Sequence, residues 1–194
     1  MFKINKMANK KSFNLHYAIC VSGAAETGHC SSGAVEKAEE IGREIARQGF
    51  ILATGATIGM PYWAAKGAKE AGGTVIGFSP AASKISHQKT YHLPVDYHDV
   101  IIYTGFGYSG RNLLLTRASD AVIFICGRMG TLNEFTIAFE DGKPLGILEG
   151  TGGTADIIKE LIVKSYRGPG KIAYAEEPAE LLKKVVELIK EEEL

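Results

Sequence analysis

Apolar positions along the chain alternate between two periods. Tyr17–Ser22, Phe50–Ala53, Thr74–Phe78, Val100–Tyr103, Ala121–Cys126, Pro144–Leu148 and Lys171–Tyr174 are short, largely apolar runs, which predict strands. Between them the apolar residues recur at helical spacing. Val35, Ala38, Ile41, Ile45 and Ala46 share one face and stop at Gly49. Residues 60–71, Asn112–Ala118, 132–140 and a stretch around 155–165 read as further helices. Pro178 opens a terminal helix with Leu181, Leu182, Val185, Val186 and Ile189 turned inward. Residues 81–98 are polar and read as irregular.

Strands alternating with helices predict βαβ units. AVIFIC and TVIGF are apolar without alternation, as strands covered on both faces should be. The expected fold is α/β: a single Rossmann-like, doubly wound, mostly parallel sheet with helices on both faces. Right-handed crossovers bring the strand C-termini to one edge. Gly23, Thr54-Gly55, Gly105–Gly110, Gly127–Gly130 and Gly150–Gly153 all follow predicted strands, so they collect on that edge. Open α/β sheets bind ligands there, where the strand order reverses.

Composition sharpens this picture. The chain has 194 residues, 45% of them apolar, enough for one globular domain with a real core. Residues 1–12, with Lys3, Lys6, Lys10 and Lys11, read as a mobile arm without a secretory signal, and residues 13–194 as one domain. The 22 basic and 22 acidic side chains cancel, which argues against a nucleic-acid partner. No apolar run approaches the roughly 18 residues of a membrane span, so no membrane partner is expected. Cys20, Cys30 and Cys126 cannot all pair and show no CxxC spacing. Neither a disulfide scaffold nor a structural zinc site is expected, and a reducing cytoplasm fits. Cys126 reads as a core thiol.

Three glycine-rich turns carry the candidate chemistry. Cys126-Gly127-Arg128-Met129-Gly130-Thr131 follows a buried strand and opens a helix, so backbone N–H groups can cradle a phosphate. Thr131-x-x-Glu134 reads equally as a capping box. Gly105-x-Gly107-x-x-Gly110 matches a dinucleotide fingerprint in spacing, but no carboxylate ends the next strand to hold a ribose. Arg111 beside it reads either as a ligand contact or as an exposed surface arginine. Thr54-Gly55-Ala56-Thr57-Ile58-Gly59-Met60 is a further strand-to-helix turn, and no Walker A pattern accompanies it. His87, His92 and His98, with Asp96 and Asp99, lack paired ligand spacing; they read as solvated loop residues, and no metal site is assigned.

Gly55…Gly59-Met60, Gly72-Gly73-x-Val75-Ile76-Gly77, Arg111-Asn112, Ser119-Asp120-Ala121 and Gly127-x-x-Gly130-Thr131-x-x-Glu134 occur in one order along the chain. This set resembles the LOG family, the lysine decarboxylase-like nucleotide-binding proteins. The run from Thr104 to Phe135 is similar to its branch that includes molybdenum cofactor carriers. The resemblance implies a Rossmann-like fold and a small phosphorylated, nucleotide-like ligand. It implies either hydrolysis of the N-glycosidic bond of nucleoside 5′-monophosphates to base and ribose 5-phosphate, or carriage of molybdenum cofactor or another phosphorylated pterin or nucleotide. Glu134 and Arg111 align with the family's catalytic pair. Gly23, Gly55, Gly59, Met60, Gly105, Asn112, Gly127, Arg128, Met129, Gly130 and Thr131 make up the expected phosphate and nucleotide site. No cofactor is required, the bound group being nucleotide, phosphate or molybdenum cofactor, and a homodimer or larger homo-oligomer is implied. Arg128 stands where the family has a glycine, so it adds a cation for phosphate or fills the pocket.

Overall fold

The apolar runs do form the strands. The computed structural model describes residues 16–192, and the expected arm at 1–12 lies outside them. Along the chain come β1 (Ala18–Gly23), α1 (Ala34–Arg47), β2 (Ile51–Thr54), α2 (Met60–Glu70), β3 (Thr74–Ser79), α3 (Lys84–Lys89) and β4 (Val100–Tyr103). Then come α4 (Gly107–Arg117), β5 (Ala121–Ile125), α5 (Met129–Glu140), β6 (Leu145–Leu148), α6 (Ile158–Ser165), β7 (Ile172–Ala175) and α7 (Pro178–Glu192). A 3₁₀ turn, Ala155–Ile157, leads into α6.

The seven strands lie in the order β4-β3-β2-β1-β5-β6-β7, and every pairing is parallel. The order reverses between β1 and β5. Ile19 pairs with Leu52 on one side and Ala121 on the other, so β1 sits at the switch point. Asp120 fixes that junction: its Oδ2 accepts from the Ala18 N–H at 2.8 Å, and its own N–H donates to the Ala18 carbonyl.

Both faces of the sheet are covered, as the unbroken apolar strands require. Ile19, Val21, Ile123 and Ile125 pack on one side with Ile41 of α1, Ala64 of α2 and Leu181 and Val185 of α7. Cys20, Val122, Phe124 and Ile147 pack on the other with Leu115 of α4, Phe135 of α5 and Ile158 of α6. Helices α1 and α2 approach closely because Gly42 lies against the backbone of Ala64 and Gly67 against that of Glu39. A Cβ on either would sit 1.9 Å from a carbonyl oxygen of the facing helix.

Four local expectations are corrected. The stretch read as irregular contains α3, a short polar helix without an apolar stripe, started by Ser83 whose Oγ accepts from the Ser86 N–H. His87 on it is fully buried, not solvated, and bonds to Ser79 and to the Pro94 carbonyl. Helix α4 begins at Gly107, five residues before Asn112, so the G-x-G-x-x-G segment is helix from its second glycine onward. Helix α5 begins at Met129, so Gly130 and Thr131 belong to its first turn.

Candidate functional site

At the C-terminal ends of β1, β2 and β5 the chain leaves a cavity of about 470 Å³. Its floor is the end of β1, from Val21 to Ala24. One wall is Gly55, Thr57 and Ile58 after β2, and another is Tyr108, Arg111 and Asn112 on α4. Arg128, Gly130, Thr131 and Glu134 close the third side from α5. Tyr91, His92 and Leu93 complete the rim.

The turn from β5 into α5 is tightly built. Cys126 and Gly127 both take positive φ, +54° and +107°, the second a value that L side chains rarely adopt. A Cβ on Gly127 would meet the Thr131 and Thr154 side chains at 2.6 Å. From outside, the Cys126 N–H donates to Thr151 Oγ1, and the Ala155 and Thr154 N–H groups donate to the carbonyls of Cys126 and Gly127. The first turn of α5 has no side-chain cap, so its N–H groups stay open at the cavity. The capping-box reading of Thr131 and Glu134 is therefore overturned. Arg128 is the N-cap, and Glu134 lies two turns in, facing β1.

Glu134 and Arg111 meet, each about 5–6% exposed. Arg111 Nη1 stands 3.6 Å from Glu134 Oε1, and the reading of Arg111 as a surface residue fails. The Ser22 hydroxyl donates to Glu134 Oε2. The Asn112 amide, turned so that its nitrogen faces these acceptors, donates to Glu134 Oε1 at 2.8 Å and to the Tyr108 carbonyl at 2.9 Å. Burial raises the Glu134 carboxyl above its ordinary range, against the opposing pull of Arg111 and the Ser22 hydroxyl. Arg111 Nε is buried without a hydrogen-bond partner. A donor left unsatisfied in this way costs about 1–3 kcal/mol, a cost the fold carries at this position.

Gly55 lines the cavity and also makes room for this pair. A Cβ there would lie 1.7 Å from Arg111 Nη1, so the missing side chain is the space the guanidinium occupies. Arg128 neither fills the cavity nor lies deep in it. Half exposed on the rim, it pairs with Glu26 across the mouth at 3.0 Å. Of the other expected residues, Gly23, Asn112, Gly130 and Thr131 line the cavity. Gly59, Met60, Gly105, Gly127 and Met129 do not: Met60 is fully buried in the core, and Met129 points its exposed side chain elsewhere on the surface. Ser22, Tyr91, His92 and Tyr108 join the site without having been expected there. Tyr108 alone among them lies inside a glycine-rich motif, and strand-end Ser22 carries no local signal at all.

The cysteine expectation also fails. Cys30, in the loop after β1, forms a disulfide with Cys126 at the end of β5, so Cys126 is no free core thiol. Cys20 remains the free, buried cysteine. The argument from unpaired thiols for a reducing compartment loses its premise. No described helix is long and apolar enough to cross a membrane.

Comparison with known proteins adds four findings. A family model described as LDcluster4: SLOG cluster4 family matches residues 16–182. A protein of Archaeoglobus fulgidus is 32% identical over 127 residues, 66% of this chain and 78% of its own. Among solved structures, the molybdenum cofactor carrier protein of Chlamydomonas reinhardtii superposes with a TM-score of 0.72 at 30% identity, covering 90% of this chain and 99% of that one. The molybdenum cofactor binding protein of Rippkaea orientalis gives 0.71 at 28% identity, covering 93% and 99%.

Proposed function

The chain belongs to the SLOG cluster4 family, and from that premise we propose that its cavity binds a phosphorylated heterocycle of the nucleotide or molybdenum-cofactor type and carries it. The observation behind this reading is the cavity itself, placed at the strand-order reversal with the uncapped start of α5 on one side and the Arg111–Glu134 pair on another. The phosphate sits at the Gly130–Thr131 N–H groups, where the helix dipole favours an anion, with Arg128 turning from Glu26 to meet it. Tyr108 and Tyr91, in edge contact at 5.6 Å, form an aromatic wall for the ring system. Carriage fits a Glu134 whose oxygens are already engaged by Ser22, Asn112 and Arg111.

A second reading, N-glycosidic hydrolysis of a nucleoside 5′-monophosphate, is favoured by the same carboxylate. As the bond to the base breaks, positive charge grows on the ribose, and Glu134 stands in the cavity wall to stabilise it and to orient water. Arg111 then holds Glu134 in place. One experiment separates the two readings. Freshly purified protein is examined for co-purified ligand by mass spectrometry and pterin fluorescence, then incubated with AMP and N6-substituted AMP. A bound pterin or nucleotide without release of ribose 5-phosphate supports carriage. Release of ribose 5-phosphate that Glu134→Gln abolishes supports hydrolysis instead. Neither ligand nor turnover, with no thermal shift on adding any nucleotide, refutes both.

The homo-oligomer implied by the family resemblance stays part of this proposal. Phe106, Tyr108 and Leu114 of the α4 region and Met129 at the start of α5 are exposed apolar side chains that a second copy would cover. Light scattering reads the result directly, a monomer refuting it.

A further inference from the structure

Among the described residues, one group of three metal-ligating side chains gathers its donor atoms within 4.8 Å of one another: His29, Cys30 and Cys126. It lies outside the cavity lining, where the loop after β1 crosses the end of β5. His29 is exposed, yet its ring folds back over the cysteines. Its Nε2 is 3.5 Å from Cys126 Sγ and 3.4 Å from the Gly127 carbonyl.

We propose that the reduced pair Cys30 and Cys126, with His29 Nε2, holds one thiophilic divalent cation of the zinc class, and that the disulfide is the oxidised, metal-free form of the same site. The geometry supports this directly. A tetrahedral zinc with bonds of about 2.3 Å to sulfur and about 2.0 Å to nitrogen sets those two atoms about 3.5 Å apart. That is the separation His29 and Cys126 already have. The thiolates would need about 3.8 Å between them. With the two Cα atoms 5.7 Å apart, rotation of the side chains supplies it once the bond opens. Two thiolates neutralise a divalent cation, and the neutral imidazole adds no charge. Exposure of His29 leaves the fourth tetrahedral position to water.

The interconversion balances. Two low-molecular-weight thiols deliver two electrons and two protons to the disulfide, leave as their own disulfide, and free two cysteine thiols. Both thiols lose their protons to solvent as the cation binds. Either state ties the loop that supplies Ala24–Glu26 to the strand end that launches Arg128 and Glu134, all of them cavity residues. Exchange between the states therefore changes what braces the pocket without removing the brace.

The test uses the full chain and cobalt(II) as a spectroscopic probe. Protein is reduced anaerobically with a non-chelating phosphine and titrated with cobalt, and oxidised protein serves as its control. The expected result is one cobalt per chain with a thiolate-to-cobalt charge-transfer band, displaced by zinc and absent from the oxidised protein. His29→Ala changes an exposed side chain, so it keeps the fold. It should weaken binding by at least the ~10–100-fold typical of losing even an outer-shell partner. Cys30→Ser, at a half-buried loop position, should abolish the band while circular dichroism stays native. The proposal is overturned if reduced protein shows no thiolate band. It is equally overturned if His29→Ala or Cys30→Ser titrates like the parent.

Discussion

Replacing Gly55 with alanine tests whether Arg111 sits where the fold puts it. The new Cβ would lie 1.7 Å from Nη1 and 2.7 Å from Cζ of Arg111, so the guanidinium must leave its slot. Nothing in the backbone resists the change, since Gly55 does not have a positive φ. The cost is therefore that of overpacking at the end of a flexible side chain, about 1–3 kcal/mol. Full loss of a buried ion pair's partner, about 3–5 kcal/mol, is an upper bound, because the displaced arginine can reach the cavity and its solvent. For a chain of 194 residues, each kcal/mol shifts Tm by about 2–4 °C, so Gly55→Ala should lower it by about 2–12 °C. The decisive measurement is a cycle with Arg111→Ala in urea denaturation. Without the guanidinium the alanine methyl has room, so Gly55→Ala should cost almost nothing in that background, a coupling of about 1–3 kcal/mol. If the two changes add within about 0.5 kcal/mol, the arginine does not occupy the space beside Gly55, and the account of the pair fails.

Glu134 gives a pH signature. Its carboxyl is raised from 4.5 by burial, so its contribution to stability is fully present below that value and is lost as pH rises through the higher folded-state value. The stability of the parent minus that of Glu134→Gln should therefore fall from acid to neutral pH, read by thermal unfolding of both proteins across the range; a flat difference refutes the shift. Gly127→Ala combines a φ of +107° with collisions at Thr131 and Thr154, and should cost at least about 2 kcal/mol by denaturant titration. Tyr108→Ala, at a half-exposed position, should leave stability within about 0.5 kcal/mol. Its affinity for a nucleotide, measured by calorimetry, should drop by the ~1–3 kcal/mol typical of a lost aromatic stack.

The layered fold was readable because its signals are local. An unbroken apolar run such as Ala121–Ile125 has few alternatives to a strand buried on both faces, and glycines after the strands mark where the chain turns. The convergence of Arg111 and Glu134 came through resemblance, not periodicity, since a charged side chain in a helix looks the same whether it faces water or a cavity. Helix starts were missed at α4 and α5 because glycine argues against helix locally, whereas the later turns of each helix, packed on the sheet, extend it back through Gly107 and Gly130. The pairing of Cys30 with Cys126 spans 96 residues and leaves no local trace; only the sheet order brings the loop after β1 to the end of β5. Ser22 was hidden for the same reason, its partner lying 112 residues away.

The central position of β1 has a consequence for how the protein is born. β1 is made before its partner on the switch side, β5, and before the glutamate that meets Ser22. On the ribosome, β1 to β4 can assemble as a half-sheet with one flank of β1 bare, a flank that invites pairing with foreign strands. The cavity is therefore completed only when β5 and α5 dock, and a nascent chain stalled before β5 lacks the wall that Gly130, Thr131 and Glu134 supply.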